Sequence, residues 1–121
     1  MSYDDNNIFS RILRGEVPAT KIYEDEHVLA IQDIHPQAPT HILVMPKGKY
    51  VSFDDFSAKA SDAEIVALTK ATGLIAREAG VADTGYRLIV NHGPHSHQEV
   101  PHLHIHILGG RPMGPLLHRN I

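Results

Sequence analysis

Apolar residues recur along this chain with two different spacings. Ile8, Phe9, Ile12 and Leu13 follow helical spacing, with Asn6 or Asn7 as a cap before them and Gly15 as a stop behind. That predicts a short helix over Asn7 to Arg14. Two β-prone runs, Lys21 to Glu24 and Val28 to Ile34, flank a charged turn at Asp25-Glu26 and predict a hairpin. Thr40 to Met45 predicts a third strand, ended by Pro46 and a Lys-Gly-Lys turn. The strongest helical pattern runs from Asp62 to Ala79. Ile65, Leu68, Thr72, Ile75 and Ala79 share a face, Ser61 and Glu64 have capping-box spacing, and Gly80 is a natural stop. Gly73 inside this helix lowers helix propensity by about 1 kcal/mol relative to alanine, which points to close packing there. Tyr86 to Asn91 and His102 to Leu108 predict strands four and five, separated by a polar loop. The residues from about 109 read as an irregular tail.

Strands outnumber helices, and the one long helix falls between strands three and four. The pattern predicts an α+β fold. Its sheet has five mainly antiparallel strands, with one long and one short helix packed on one side. There is no internal repeat, low-complexity linker or composition break, so a single domain over residues 1–121 is expected.

Composition narrows the function. The chain is 42% hydrophobic and 21% charged, with a formal net charge of -3, which argues against a dedicated nucleic-acid binder. It has no cysteine, so disulfides, thiolate metal sites and a thiol nucleophile are all excluded. The acidic, polar N-terminus carries no signal-peptide core, and no apolar run approaches the roughly 20 residues of a membrane span. A cytoplasmic protein is expected. Ten histidines stand against eleven lysines and arginines, and six of the ten lie between His92 and His106.

His102, His104 and His106 alternate with Leu103, Ile105 and Ile107. In a strand, alternate residues share a face, so three imidazoles line up on one side and the apolar residues enter a core. His102 and His106 would then lie about 13 Å apart at roughly 3.3 Å per residue. Zinc holds its nitrogen ligands at about 2.0–2.1 Å, so the three cannot easily close on one ion, although a two-histidine site with outside help stays open. The other readings are the polar face of an edge strand, or catalysis. A neutral imidazole is a good nucleophile towards phosphorus, and neighbouring imidazoles can donate to phosphate oxygens or to a leaving group.

His-x-His-x-His followed by two apolar residues, here His102, His104, His106, Ile107 and Leu108, resembles the signature of the histidine triad (HIT) superfamily. The stretches KIYEDEHVLAIQDI, HPQAPTHILVMPK, GYRLIVNHG and HLHIHILGGRPMG are similar to the Hint branch, the histidine triad nucleotide-binding proteins. The resemblance runs from about Ile8 to Gly114. It implies a homodimer with a joint ten-stranded sheet, and hydrolysis of purine nucleoside phosphoramidates with no cofactor or metal. It also implies His104 as nucleophile and His106 at the phosphate and leaving group. His102 orients the nucleophile and His41 supports the network. Asn91 is implied at the phosphate, Asp33 at the ribose hydroxyls, and Ile34, Phe9 and Ile12 around the base, with Gln98 and Glu99 also at the nucleotide. Nucleoside monophosphates are expected ligands; nucleic acid and membranes are not.

Plainer roles are open for several of these: core contacts for Phe9 and Ile12, and turn shaping for Asp33 and Asn91. His92, His95 and His97 lie in a Gly/Pro loop where solvated histidines are ordinary, and His27, His35 and His118 read as surface residues. Glu99 stands where many relatives carry a serine, and the tail GPLLHRNI has no tryptophan, so leaving-group preference is expected to differ. The competing readings are a dinucleoside polyphosphate hydrolase with the same nucleophile, a nucleotide-binding scaffold with little turnover, and a metal-binding protein.

Overall fold

The computed structural model describes residues 2–117, so His118 lies outside the described residues. In chain order the elements are α1 (Ile8–Leu13), β1 (Lys21–Glu24), β2 (Val28–Gln32), β3 (Thr40–Pro46), α2 (Phe53–Lys59), α3 (Asp62–Glu78), β4 (Tyr86–Val90) and β5 (Ile105–Gly109), with a 3-10 turn at Pro94–Ser96. The strands form one sheet in the order β1-β2-β3-β5-β4, antiparallel at every pairing. The last strand therefore inserts between β3 and β4, and the histidine-bearing segment enters the middle of the sheet.

Local chemistry sets the boundaries. Asn7 caps α1 by accepting from the Ser10 N–H at 2.9 Å, and Gly15 just beyond the helix takes φ +78°. In the β1–β2 turn, Asp25 Oδ1 accepts from the N–H groups of His27 and Val28. Ser61 and Glu64 close the expected capping box on α3. β2 stops two residues short of the expected Ile34, because Asp33 turns the chain by accepting from the His35 N–H at 2.8 Å. At the other end of the sheet, Gly109 still belongs to β5, so the irregular tail starts one residue late.

Packing corrects the expectation that the helices share one side. Val28, Ala30, Ile42, Val44, Leu103 and Ile107 face α3, together with Phe56 of α2. The alternate residues Leu29, Ile31, Leu43 and Met45 face the opposite way and are covered by Phe9 and Ile12 of α1. β2 and β3 are apolar on both faces, and each face needs its own cover. The helix α2 was not expected at all. Asp55 starts it by accepting from the Ser52 and Val51 N–H groups, and Phe56 anchors it.

The fifth strand begins at Ile105 and not at His102. Pro46 has no N–H to continue the ladder, and its carbonyl accepts instead from the His102 ring at 2.8 Å. The Leu103 N–H turns to the Tyr50 carbonyl, also at 2.8 Å. His102 and His104 thus sit on an irregular lead-in.

Candidate active site

The triad histidines lie on the α1 side of the sheet. His106 is on β5, paired with Leu43 of β3 and Ile89 of β4. His41, two residues before Leu43 on β3, lies on the same face. Phe9 meets His104 edge-on at 4.9 Å between ring centroids, and the rings of His104 and His106 are 5.0 Å apart. The imidazoles are not a solvated row. His102 is fully buried, His104 and His41 are buried, and His106 is half-buried. Phe9 of α1 packs edge-on against His102 and His104 and helps to bury them.

Each ring's partners assign its proton. His104 Nδ1 lies 2.7 Å from the His102 carbonyl, which can only accept. His104 therefore carries its proton on Nδ1, and the Nε2 lone pair is free. His102 Nε2 donates to the Pro46 carbonyl, and its Nδ1 accepts from the Tyr3 hydroxyl at 2.5 Å. On the other side, the Gln37 N–H donates to His41 Nδ1 at 3.0 Å. That leaves the His41 proton on Nε2, which donates to His106 Nδ1 at 2.9 Å. His106 must then carry its own proton on Nε2. The chain of bonds gives two neighbouring rings opposite roles: His104 offers a lone pair and His106 offers a proton.

Burial keeps these rings neutral. It pushes His102 and His106 down from the usual histidine value to about 4, and for His106 the nearness of His104 and His41 adds to the effect. His104 is also lowered by burial, against the smaller opposing pull of the His102 carbonyl, Asp33 and Glu99. His41 is lowered by burial too, and Asp33 opposes this. Asp33 Oδ2 is 3.3 Å from His41 Nε2. Among the described residues, Asp33, His41 and His106 are the one set whose ligand atoms, all within 4.8 Å of one another, could gather round a metal ion. The His41–His106 hydrogen bond already joins two of those three donors.

The His-x-His-x-His segment that carries both rings lies within the region that matches a known family. The HIT domain model matches residues 14–113. The chain belongs to the HIT family. It is 60% identical over 116 residues to a HIT-like protein of Azospirillum brasilense, covering 96% of this chain and 95% of the relative. It is 47% identical over 113 residues to the purine nucleoside phosphoramidase of Escherichia coli K12, covering 93% and 94%. A histidine triad protein from Clostridium difficile superposes with a TM-score of 0.81 at 43% identity, covering 95% of this chain and 98% of that one.

On this HIT scaffold the other expected residues separate. Asp33 and Ile34 lie together after β2, and Ile34 is 83% exposed, an apolar side chain left in solvent beside the histidine network. Phe9 touches His102 and His104 while sitting in the α1-side core; Ile12 is buried in that core. Asn91 directly follows β4, whose last residue pairs with Ile105, so it continues the register towards His104. Gln98 departs from expectation. Both its amide hydrogens are used within the protein, on the Val51 and Val100 carbonyls, and its oxygen accepts from the Gly93 N–H. It braces the loop. Glu99 is exposed and lies 3.0 Å from the exposed His97. His35, His92 and His95 are exposed as expected, whereas His27 is half-buried. Tyr3, Gln37 and Pro46 were missed. Two of them act through backbone atoms, which residue type does not advertise.

Proposed function

We propose that this chain hydrolyses the P–N bond of purine nucleoside 5′-phosphoramidates through a nucleotidyl-histidine intermediate on His104. The observation that carries the reading is the assigned tautomer of His104, which leaves a free Nε2 lone pair on a ring whose centroid is 5.0 Å from that of His106, the ring that carries its proton on Nε2. The phosphoramidase name of the Escherichia coli relative supports the substrate class. In the first step the Nε2 lone pair of His104 forms a bond to phosphorus. The P–N bond to the amine breaks, its electron pair leaves with nitrogen, and that nitrogen takes a proton from solvent. The Nε2–H of His106 holds a phosphoryl oxygen as charge builds on it. Water then attacks phosphorus, the bond to His104 breaks, the nucleoside monophosphate leaves and one proton returns to solvent. No step calls for a metal or a cofactor.

Asp33 receives the ribose hydroxyls, Ile34 and the edge of Phe9 take the base, and Asn91 lies at the phosphate. The working unit is a homodimer in the cytoplasm. The test is intact-protein mass spectrometry after brief mixing with an AMP alkylamine phosphoramidate. Wild type forms AMP and carries a transient adduct of AMP mass. His104→Ala forms no adduct, and its kcat falls by roughly a thousandfold or more. Binding of the phosphoramidate by wild type without any turnover would overturn the assignment.

A further inference from the structure

The segment ahead of α1 is not a loose end. Asp5 pairs with Lys49 at 2.7 Å, and its carbonyl accepts from Arg14 Nη1 at 2.8 Å. The Asp4 carbonyl accepts from the side chain and the N–H of Asn7. This bracing sets Tyr3, itself half-buried, against the triad. Its ring meets the His102 ring edge-on at 5.6 Å, and its hydroxyl donates to His102 Nδ1.

The Tyr3 contact has a consequence two residues away. His102 is held at three points: Nε2–H on the Pro46 carbonyl, Nδ1 on the Tyr3 hydroxyl, and its own carbonyl under the Nδ1–H of His104. No β-ladder fixes the backbone here, because β5 begins only at Ile105. The Leu103 N–H on the Tyr50 carbonyl holds one side of the His102–Leu103 peptide, and the His102 ring is the second anchor of the carbonyl that decides where the His104 proton sits. A buried imidazole nitrogen that loses its donor is left without a partner and favours a shifted ring.

From this geometry we infer that Tyr3 is a positioning residue, acting through His102 to hold the His104 Nε2 lone pair in line for attack. The inference rests on the phosphoramidase reading for its kinetic consequence, and on the hydrogen-bond chain alone for its structural one.

The test compares Tyr3→Phe, which keeps the ring and removes the hydroxyl, with Tyr3→Ala and wild type. Nitrogen-15 NMR of histidine-labelled protein reads the rings directly. In Tyr3→Phe the His102 Nδ1 resonance moves towards that of an unbonded lone pair, and the His104 Nδ1–H exchanges faster with water. With the AMP alkylamine phosphoramidate, kcat falls about tenfold, the equivalent of about 1.4 kcal/mol. KM stays within roughly twofold, because the lost contact orients the nucleophile and does not touch the substrate. The melting temperature of Tyr3→Phe stays close to that of wild type. Unchanged His104 Nδ1–H exchange in Tyr3→Phe overturns the inference, whatever the activity. So does a kcat that survives Tyr3→Phe and is lost only in Tyr3→Ala, since the aromatic edge would then be the working part. If wild type turns over no phosphoramidate, the functional reading fails by itself, and the exchange measurement still decides the role of Tyr3.

Discussion

At the scale of single residues, the backbone decides which histidine does what. The Gln37 N–H and the His102 carbonyl are one donor and one acceptor, and between them they give His41, His106 and His104 their tautomers. The same burial that orders the rings also lowers their affinity for protons. In the proposed reaction His104 acts as the neutral base, so protonation abolishes attack. A lowered histidine value moves that loss to more acid pH. The acid limb of kcat/KM, measured between pH 4.5 and 8 on the AMP phosphoramidate, is therefore expected below the ordinary histidine value of about 6.5. A limb at or above that value would contradict a buried, neutral His104. Glu99 pulls weakly the other way on His104 and His106. It is exposed, so its pull is screened by salt, and the limb moves slightly to lower pH at high ionic strength.

At the scale of elements, two glycines make opposite predictions. A Cβ on Gly73 in α3 would approach only the tip of Arg77, at 3.2 Å, and that tip is free to swing. The close packing expected from sequence is absent. Gly73→Ala is therefore expected to stabilise the fold by about 0.5–1 kcal/mol, read as a raised urea midpoint. A Cβ on Gly109 at the end of β5 would meet Val81 Cγ1 at 2.8 Å and Val81 Cβ at 3.0 Å, a branched side chain packed in the core. Gly109→Ala is expected to lower the same midpoint, at a cost of about 1–3 kcal/mol. The elements best read from sequence were those with a repeating pattern and a chemical end signal: α1, the β1–β2 hairpin, β3 and α3. The second layer was also written there, in the apolar residues of both parities on β2 and β3, Leu29 and Ile31 beside Val28 and Ala30. The helix α2 was hidden because it is one short element with a single buried side chain, Phe56, and its one signal was Asp55 three residues after Ser52. The start of β5 was not readable. It depends on Pro46 and Tyr50, more than fifty residues away, whose carbonyls take the polar groups that a ladder would have used. At the site, the triad and His41 were legible as side-chain chemistry. Tyr3 was not, because a tyrosine near an N-terminus carries no spacing that ties it to a distant histidine.

At the scale of the whole molecule, the two edges of the sheet differ. On β1, Lys21 and Glu24 pair with each other, and Lys47, just past the end of β3, also reaches Glu24, which places charge along that edge. Charged edges resist further pairing. On β4, Tyr86, Leu88 and Val90 are exposed apolar side chains in alternation. The one charge on the strand, Arg87, is turned to the Gly114 and Pro115 carbonyls of the tail. With Arg87 turned to the tail, an alternating apolar edge with no proline is the kind that a second copy of the same strand can extend, and the proposed homodimer uses it. Antiparallel pairing of β4 with its copy would set the two β5 strands three strand spacings apart, about 14 Å. Both triads would then share one continuous sheet. Leu88 is the middle residue of that edge, opposite Ile107 of β5. Leu88→Lys puts a charge at the centre of the joint and is expected to turn a dimer of the 13.4 kDa chain into a monomer by sedimentation equilibrium at micromolar concentration. A wild-type protein already monomeric under those conditions would refute the β4 joint. A monomeric Leu88→Lys with wild-type kcat would locate all of the chemistry within one subunit, as the hydrogen-bond chain from Tyr3 and Gln37 to His104 and His106 implies.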